Sequence, residues 1–115
     1  MTSGDLDKLK AAAGEATGLL KSLANQDRLL VLCNLAEREK NVTELQGILG
    51  LLQPTLSQQL ARLRADGLVE TRRDGKTIYY RLASEEARRV IALLYELYCA
   101  SVAEDFAAPP VARSA

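Results

Sequence analysis

The sequence predicts a mainly α-helical fold with a β-hairpin wing, a winged helix-turn-helix of four helices, two strands and a fifth helix. Three observations lead there. Residues 43–67 read as helix, tight turn, helix. The apolar period switches from 3.6 to 2 directly after Gly67. The two alternating runs that follow flank Asp74-Gly75, a two-residue hairpin signal.

Taken in order, the first helix is expected over 6–23, where Leu6, Leu9, Ala13, Ala16, Leu20 and Leu23 recur at helical spacing and Asp5 offers an N-cap. Met1 to Gly4 should fray. Asn25 can cap a second helix running to about Arg38; Leu29, Leu30, Leu32, Cys33 and Leu35 make it apolar over much of its circumference, hence central to the core. Thr43-Glu44-Leu45-Gln46 has the form of a capping box and opens a short helix ending near Gly50. After Leu51-Leu52, the fourth helix runs from Gln53, with Pro54 in its first turn and Gly67 suited to a left-handed conformation past its end. Its inner side carries Leu56, Leu60 and Leu63. A turn at Asp74-Gly75 would pair Val69 with Tyr80 and Thr71 with Ile78, leaving one apolar side to cover the core. Ser84 can cap a last helix from Glu85 to 102 or 103, with a stripe of Ala87, Val90, Ile91, Leu94, Leu97 and Tyr98. One domain over 1–106 is expected, and 107–115, with Pro109-Pro110, reads as a disordered tail.

Composition narrows the class. The 115 residues are 48% apolar and 26% charged, which fits one globular domain. No apolar run has membrane-spanning length, and residues 1–20 lack a basic start followed by an apolar block. A cytoplasmic location and no membrane partner are therefore expected. Net charge is zero, but it is unevenly placed. Residues 53–82 hold six basic side chains (Arg62, Arg64, Arg72, Arg73, Lys76, Arg81) against three acidic ones (Asp66, Glu70, Asp74), a local +3. Such a patch can meet phosphates while the acidic remainder disfavours indiscriminate binding.

On the fourth helix Thr55, Gln58 and Arg62 lie roughly opposite the leucines, with Ala61 and Ala65 small enough for close approach. A major groove accepts such a helix. Gln58 is the leading base contact, because its amide can pair bidentately with adenine. Thr55 and Ser57 suit phosphate or a thymine methyl, Arg62 guanine or phosphate, and Gln53 either DNA or the helix cap. Arg72, Arg73 and Lys76 form a basic wing tip able to lie along phosphates or a minor groove. Each feature alone also reads as ordinary solvated surface; their adjacency favours double-stranded DNA. The first and last helices exceed the apolar needs of one core, so a two-fold homodimer on an imperfect inverted repeat is expected.

Two cysteines, Cys33 and Cys99, are present, and no histidine. Histidine catalysis and histidine metal ligation are thereby excluded, and no cofactor is implied. A thiol oxidoreductase would need neighbouring thiols such as Cys-x-x-Cys, which the chain lacks, so no enzyme is expected. On their own the two thiols read as buried and inert.

Over roughly residues 18–100 the chain resembles the ArsR/SmtB family of winged-helix repressors. Gln53-Pro54-Thr55-Leu56-Ser57-Gln58-Gln59-Leu60, Gly67-Leu68-Val69-Glu70-Thr71-Arg72-Arg73 and Tyr79-Tyr80-Arg81-Leu82 look like its BigR/SqrR branch, which senses sulfide-derived persulfides. That branch carries its cysteine pair in the second and last helices, as Cys33 and Cys99 are placed here. The resemblance implies that these helices pack together within a protomer and bring the thiols near one another. It further implies that reactive sulfur species bridge them as a di- or polysulfide, so that the reduced dimer represses and the bridged dimer releases its operator. A general oxidant forming a plain disulfide stays open as the inducer. A metal ion is a further alternative, but metal sites in the wider family use Cys-x-Cys near the recognition helix or His/Asp/Glu clusters on the last helix. Residues 43–58 contain no cysteine, and two thiolates fall short of the four ligands zinc takes.

Overall fold

A computed structural model describes residues 2–99. The elements are α1 (Ser3–Leu23), α2 (Gln26–Glu37), β1 (Lys40–Asn41), α3 (Val42–Leu49), α4 (Gln53–Ala65), β2 (Val69–Asp74), β3 (Thr77–Leu82) and α5 (Glu85–Leu94), which continues as a π-helical turn over Tyr95–Cys99. The expected end of the last helix, the domain limit at 106 and the tail at 107–115 lie outside the described residues.

The core is where the leucine spacing put it. Val31, Leu32 and Leu35 of α2 meet Leu45 of α3, Leu56, Leu60 and Leu63 of α4, and Ala87 and Ile91 of α5, all buried. Val69 and Leu82 close it from the hairpin. Asn25 and Ser84 cap α2 and α5 as expected, each side chain accepting a backbone N–H three residues on.

Several local expectations are corrected. α1 starts at Ser3, capped by Thr2 in place of Asp5, so Ser3 and Gly4 are helical. Asp5 is the reciprocal partner of that box, donating its N–H to Thr2 Oγ1 at 3.2 Å and accepting from the Thr2 N–H at 3.3 Å. The box opening α3 is likewise displaced, from Thr43 and Gln46 to Asn41 and Glu44. The Glu44 N–H donates to Asn41 Oδ1 at 2.8 Å and the Asn41 N–H to Glu44 Oε1 at 3.1 Å. Asn41 wins because it also ends a strand, whose extended backbone suits a cap.

That strand, β1, has no period long enough to read from sequence. It pairs antiparallel with β3, giving the order β1-β3-β2 with Lys40 opposite Tyr80. Lys40 is only 1% exposed. Its ammonium donates to the Asn34 carbonyl at 2.9 Å, and to Asn34 Oδ1 and Glu37 Oε1 at 3.3 Å. It thus satisfies the carbonyl end of α2, where a cation is favoured.

The hairpin turn lies at Gly75-Lys76, one residue beyond the expected Asp74-Gly75. Gly75 takes φ 64°, the left-handed value that this turn position requires. Val69 therefore faces Leu82, Thr71 faces Tyr80 and Arg73 faces Ile78. Moving the turn by one residue shifts every partner by two, so Val69, Thr71 and Tyr80 keep the inner face, joined by Leu82. Ile78, now opposite Arg73 near the tip, is exposed and does not cover the core.

The stripe of the last helix also departs from expectation. Ala87 and Ile91 are buried, but Leu97 is 62% and Tyr98 73% exposed. Both lie in the π-helical turn, where the 3.6 period no longer applies.

Candidate nucleic-acid interface and thiol pair

α4 presents its outer surface in three strips, set by about 100° per residue. Gln58 lies opposite the buried leucines, with exposed Ala65 and Ala61 to one side of it. One flank carries Ser57, Ala61 and Arg64, which with Tyr80 line a shallow groove between α4 and the wing. Thr55, Gln59 and Arg62 occupy the other flank. Gln53 is an exposed first residue of the helix and does not cap it; Leu52 holds the cap position without a side-chain hydrogen bond. Gly67 has φ 76°, the left-handed conformation anticipated past the helix end.

The second flank is tied to α1 and α2. Ser22 Oγ donates to Asp66 at 2.5 Å and Arg62 Nε donates to the same carboxylate oxygen at 2.8 Å. Arg28 donates to the Ser22 carbonyl at 2.6 Å, the Lys21 carbonyl at 3.2 Å and Gln59 Oε1 at 3.1 Å. Hydrogen bonding from Ser22, then from Arg62, holds the Asp66 carboxyl below its ordinary 3.8. A lowered carboxylate pKa stabilises the fold above the unfolded value and loses that contribution as pH falls through the lowered one. The clamp should accordingly persist down through the ordinary carboxylate range. An NMR titration of the Asp66 carboxyl should give a midpoint below 3.8, and Ser22→Ala should raise it; a midpoint unmoved by Ser22→Ala would refute the assignment.

The six basic residues of this region divide into two sets. Arg62 is paired with Asp66, Arg81 with Glu70 and Arg72 with Glu39. Arg72 Nε donates to the Glu39 carboxylate at 2.8 and 3.0 Å, and its guanidinium lies 4.5 Å from the Tyr79 ring centroid. The hydrogen bond from Arg72 lowers the Glu39 pKa. Arg72 is therefore braced midway along the wing and is no free member of its tip. Arg64, Arg73 and Lys76 have no ion pair among the described residues. Sequence reasoning left Arg64 out of the interface, although Ser57, Ala61 and Arg64 repeat at i, i+4, i+7 beside the leucines.

Cys33 on α2 packs half-buried against the core, and Cys99 ends the π-helical turn, also half-buried. Both are free thiols. Burial chiefly, and then the negative charge of Cys99, raise the Cys33 pKa above its ordinary value. Among the described residues there is no group of three or more His, Cys, Asp or Glu able to hold a metal ion. No described helix is long and apolar enough to cross a membrane.

Comparison with known proteins fits this geometry. A family model described as bacterial regulatory protein, arsR family, matches residues 25–71. The biofilm growth-associated repressor of Xylella fastidiosa is 46% identical over 100 residues, 87% of this chain and 85% of the relative. The crystal structure of the transcriptional repressor BigR from that organism superposes with a TM-score of 0.75 over 87% of this chain and 99% of the other. The transcriptional activator HlyU of Vibrio cholerae is 45% identical over 95 residues, 83% of this chain and 88% of the relative. Its reduced form has a TM-score of 0.77, covering 80% and 97% of the two chains. The homodimeric DNA-binding domain of Mb0332 from Mycobacterium bovis, 33% identical, gives 0.71 over 90% and 95%. With close relatives aligned over most of their lengths and the helix-turn-helix and wing in place, the chain belongs to the ArsR family of bacterial regulatory proteins, which are DNA-binding regulators and not enzymes.

Proposed function

We propose that this chain is a dithiol-controlled repressor. Its reduced homodimer occupies an imperfect inverted repeat in double-stranded DNA, and leaves when Cys33 and Cys99 are bridged by a di- or polysulfide made from reactive sulfur species. The observation that carries the sensing half is the free, half-buried thiol pair on α2 and at the end of α5, two helices that pack against one another. The redox state named for the HlyU structure makes oxidation a variable in that relative. Repression follows the Xylella relative, since HlyU is named an activator.

Dimerisation is supported by α1. Residues 3–18 are exposed throughout, and Leu6 and Leu9, 42% and 52% exposed, find no cover in their own protomer. The radius of gyration is 17.1 Å, against about 13 Å for a compact domain of this length. Mb0332 is described as homodimeric.

The bridge forms by two displacements. The Cys99 thiolate attacks the outer sulfur of a low-molecular-weight persulfide RSSH, giving Cys99–S–SH and releasing RS⁻. Cys33, whose burial disfavours the thiolate, acts second. After losing its proton, its thiolate attacks the Cys99 sulfur and HS⁻ leaves, which closes a disulfide. If Cys99–S–SH first takes up another outer sulfur, Cys33 closes a trisulfide on the middle sulfur with the same loss of HS⁻. The persulfide is the oxidant throughout.

Treatment with glutathione persulfide should lower operator affinity by roughly 5–150-fold, the range of allosteric couplings. Cys33→Ser and Cys99→Ser should each stay bound. Release of either variant to the wild-type extent would sink the mechanism. Equal release by hydrogen peroxide would favour the general oxidant reading.

A further inference from the structure

We infer that the π-helical turn Tyr95–Cys99 sets the register of the sensor, turning Cys99 onto the face of α5 that meets α2 and turning Tyr98 off it. The inference deepens the dithiol reading and rests on it for its functional meaning. The geometric part stands by itself.

In an unbroken α-helix each residue advances about 100°. Measured from buried Ala87, buried Ile91 then lies at about 40°, Tyr98 at about 20° and Cys99 at about 120°. A straight α5 would seat the tyrosine in the core stripe and aim the cysteine well to one side. A π turn takes one extra residue into the helix, so that by its last residue, Cys99, the direction is set back by about 100°. Cys99 returns to about 20°, in line with Ala87 and Ile91, while Tyr98 is turned off that line. The exposures agree with the second arrangement: Tyr98 is 73% exposed and Leu97 62%, whereas Cys99 is half-buried. Cys33, the residue that feels the charge of Cys99, lies on the helix packed beneath that stripe.

The thiol pair therefore belongs to the π register. An unbroken α-helix would instead seat Tyr98 at the stripe and carry Cys99 away from Cys33. A bridge between the sulfurs would hold the turn in place. It converts sulfur chemistry into a fixed rotation of the C-terminal part of α5, including the exposed Leu97 and Tyr98.

A cysteine walk tests the register. In the Cys99→Ser background, Leu97→Cys and Tyr98→Cys each move the only C-terminal thiol to an exposed position, so folding is checked simply by circular dichroism. Bridging to Cys33 is driven by diamide, which takes up the two hydrogens, and read by mass spectrometry and non-reducing gel. The unmodified pair should bridge at least about tenfold faster than Tyr98→Cys/Cys99→Ser or Leu97→Cys/Cys99→Ser. Bridging through position 98 as fast as through 99, or failure of Cys99 itself to bridge, overturns the π register. If position 99 alone bridges yet the bridged protein keeps its operator, the register stands and the dithiol reading falls. If the bridged protein releases DNA but position 98 bridges equally well, the reverse holds.

Discussion

Replacing Arg64, Arg73 and Lys76 together with alanine should flatten the salt dependence of operator binding by about five in log–log slope. Each phosphate neutralised contributes about 0.9 to that slope, and a dimer carries two copies of each side chain. Near physiological salt the same variant should lose roughly a thousandfold or more in affinity, by the same relation. The matching triple replacement of Arg62, Arg72 and Arg81 should flatten the slope far less, because Asp66, Glu39 and Glu70 already neutralise those side chains. Fluorescence anisotropy over a salt series distinguishes the two. An equal flattening by both triples would show that the ion pairs open on DNA and would overturn the division of the cations. Gln58→Ala belongs to a different category, since the role proposed for its amide is to read a base. It should relax sequence preference at one position in each half-site and leave the slope unchanged.

The second large effect concerns stability. Leu56 is fully buried on the inner side of α4. Leu56→Ala should cost about 2–5 kcal/mol, the transfer of the lost methyls plus the cavity they leave. For a domain of this size that corresponds to a fall in Tm of roughly 10 °C or more. Leu52, four residues earlier, is 75% exposed, and Leu52→Ala should change stability by about 0.5 kcal/mol at most. Thermal unfolding followed by circular dichroism at fixed protein concentration provides the comparison. Equal losses for the two variants would contradict the assigned orientation of α4.

The parts of this molecule legible in its sequence are those governed by a period. Leu56, Leu60 and Leu63 announced the inner face of α4, and Gly67 its end. The alternating strands announced the wing and its inner face. Register was beyond reach, because turns at Asp74-Gly75 and Gly75-Lys76 leave the same side chains on the same face of the hairpin. β1 is two residues long and has no pattern of its own, and a lysine as its buried member runs against every polarity rule. The π turn inverts the helical reading that it interrupts, so a strict period put Tyr98 where Cys99 belongs. Among the interface residues, the pairing of Arg62 with Asp66 was readable as i, i+4. Glu39 lies 33 positions from Arg72, and no local rule joins them.

Lys40 has a consequence for how this protein can be recombined. Its amine is fastened to the end of α2, and its backbone is the third strand of the wing sheet. A DNA-reading module cut out at the start of α3 would leave behind both an edge strand and the ammonium that finishes the preceding helix. The exchangeable unit is therefore larger than helix-turn-helix plus hairpin, and its upstream junction has to fall ahead of Asn34. Chimeras joined there should fold with a transplanted specificity; those joined at Val42 would inherit an unpaired β3 edge and an α2 whose last carbonyls lack their cation.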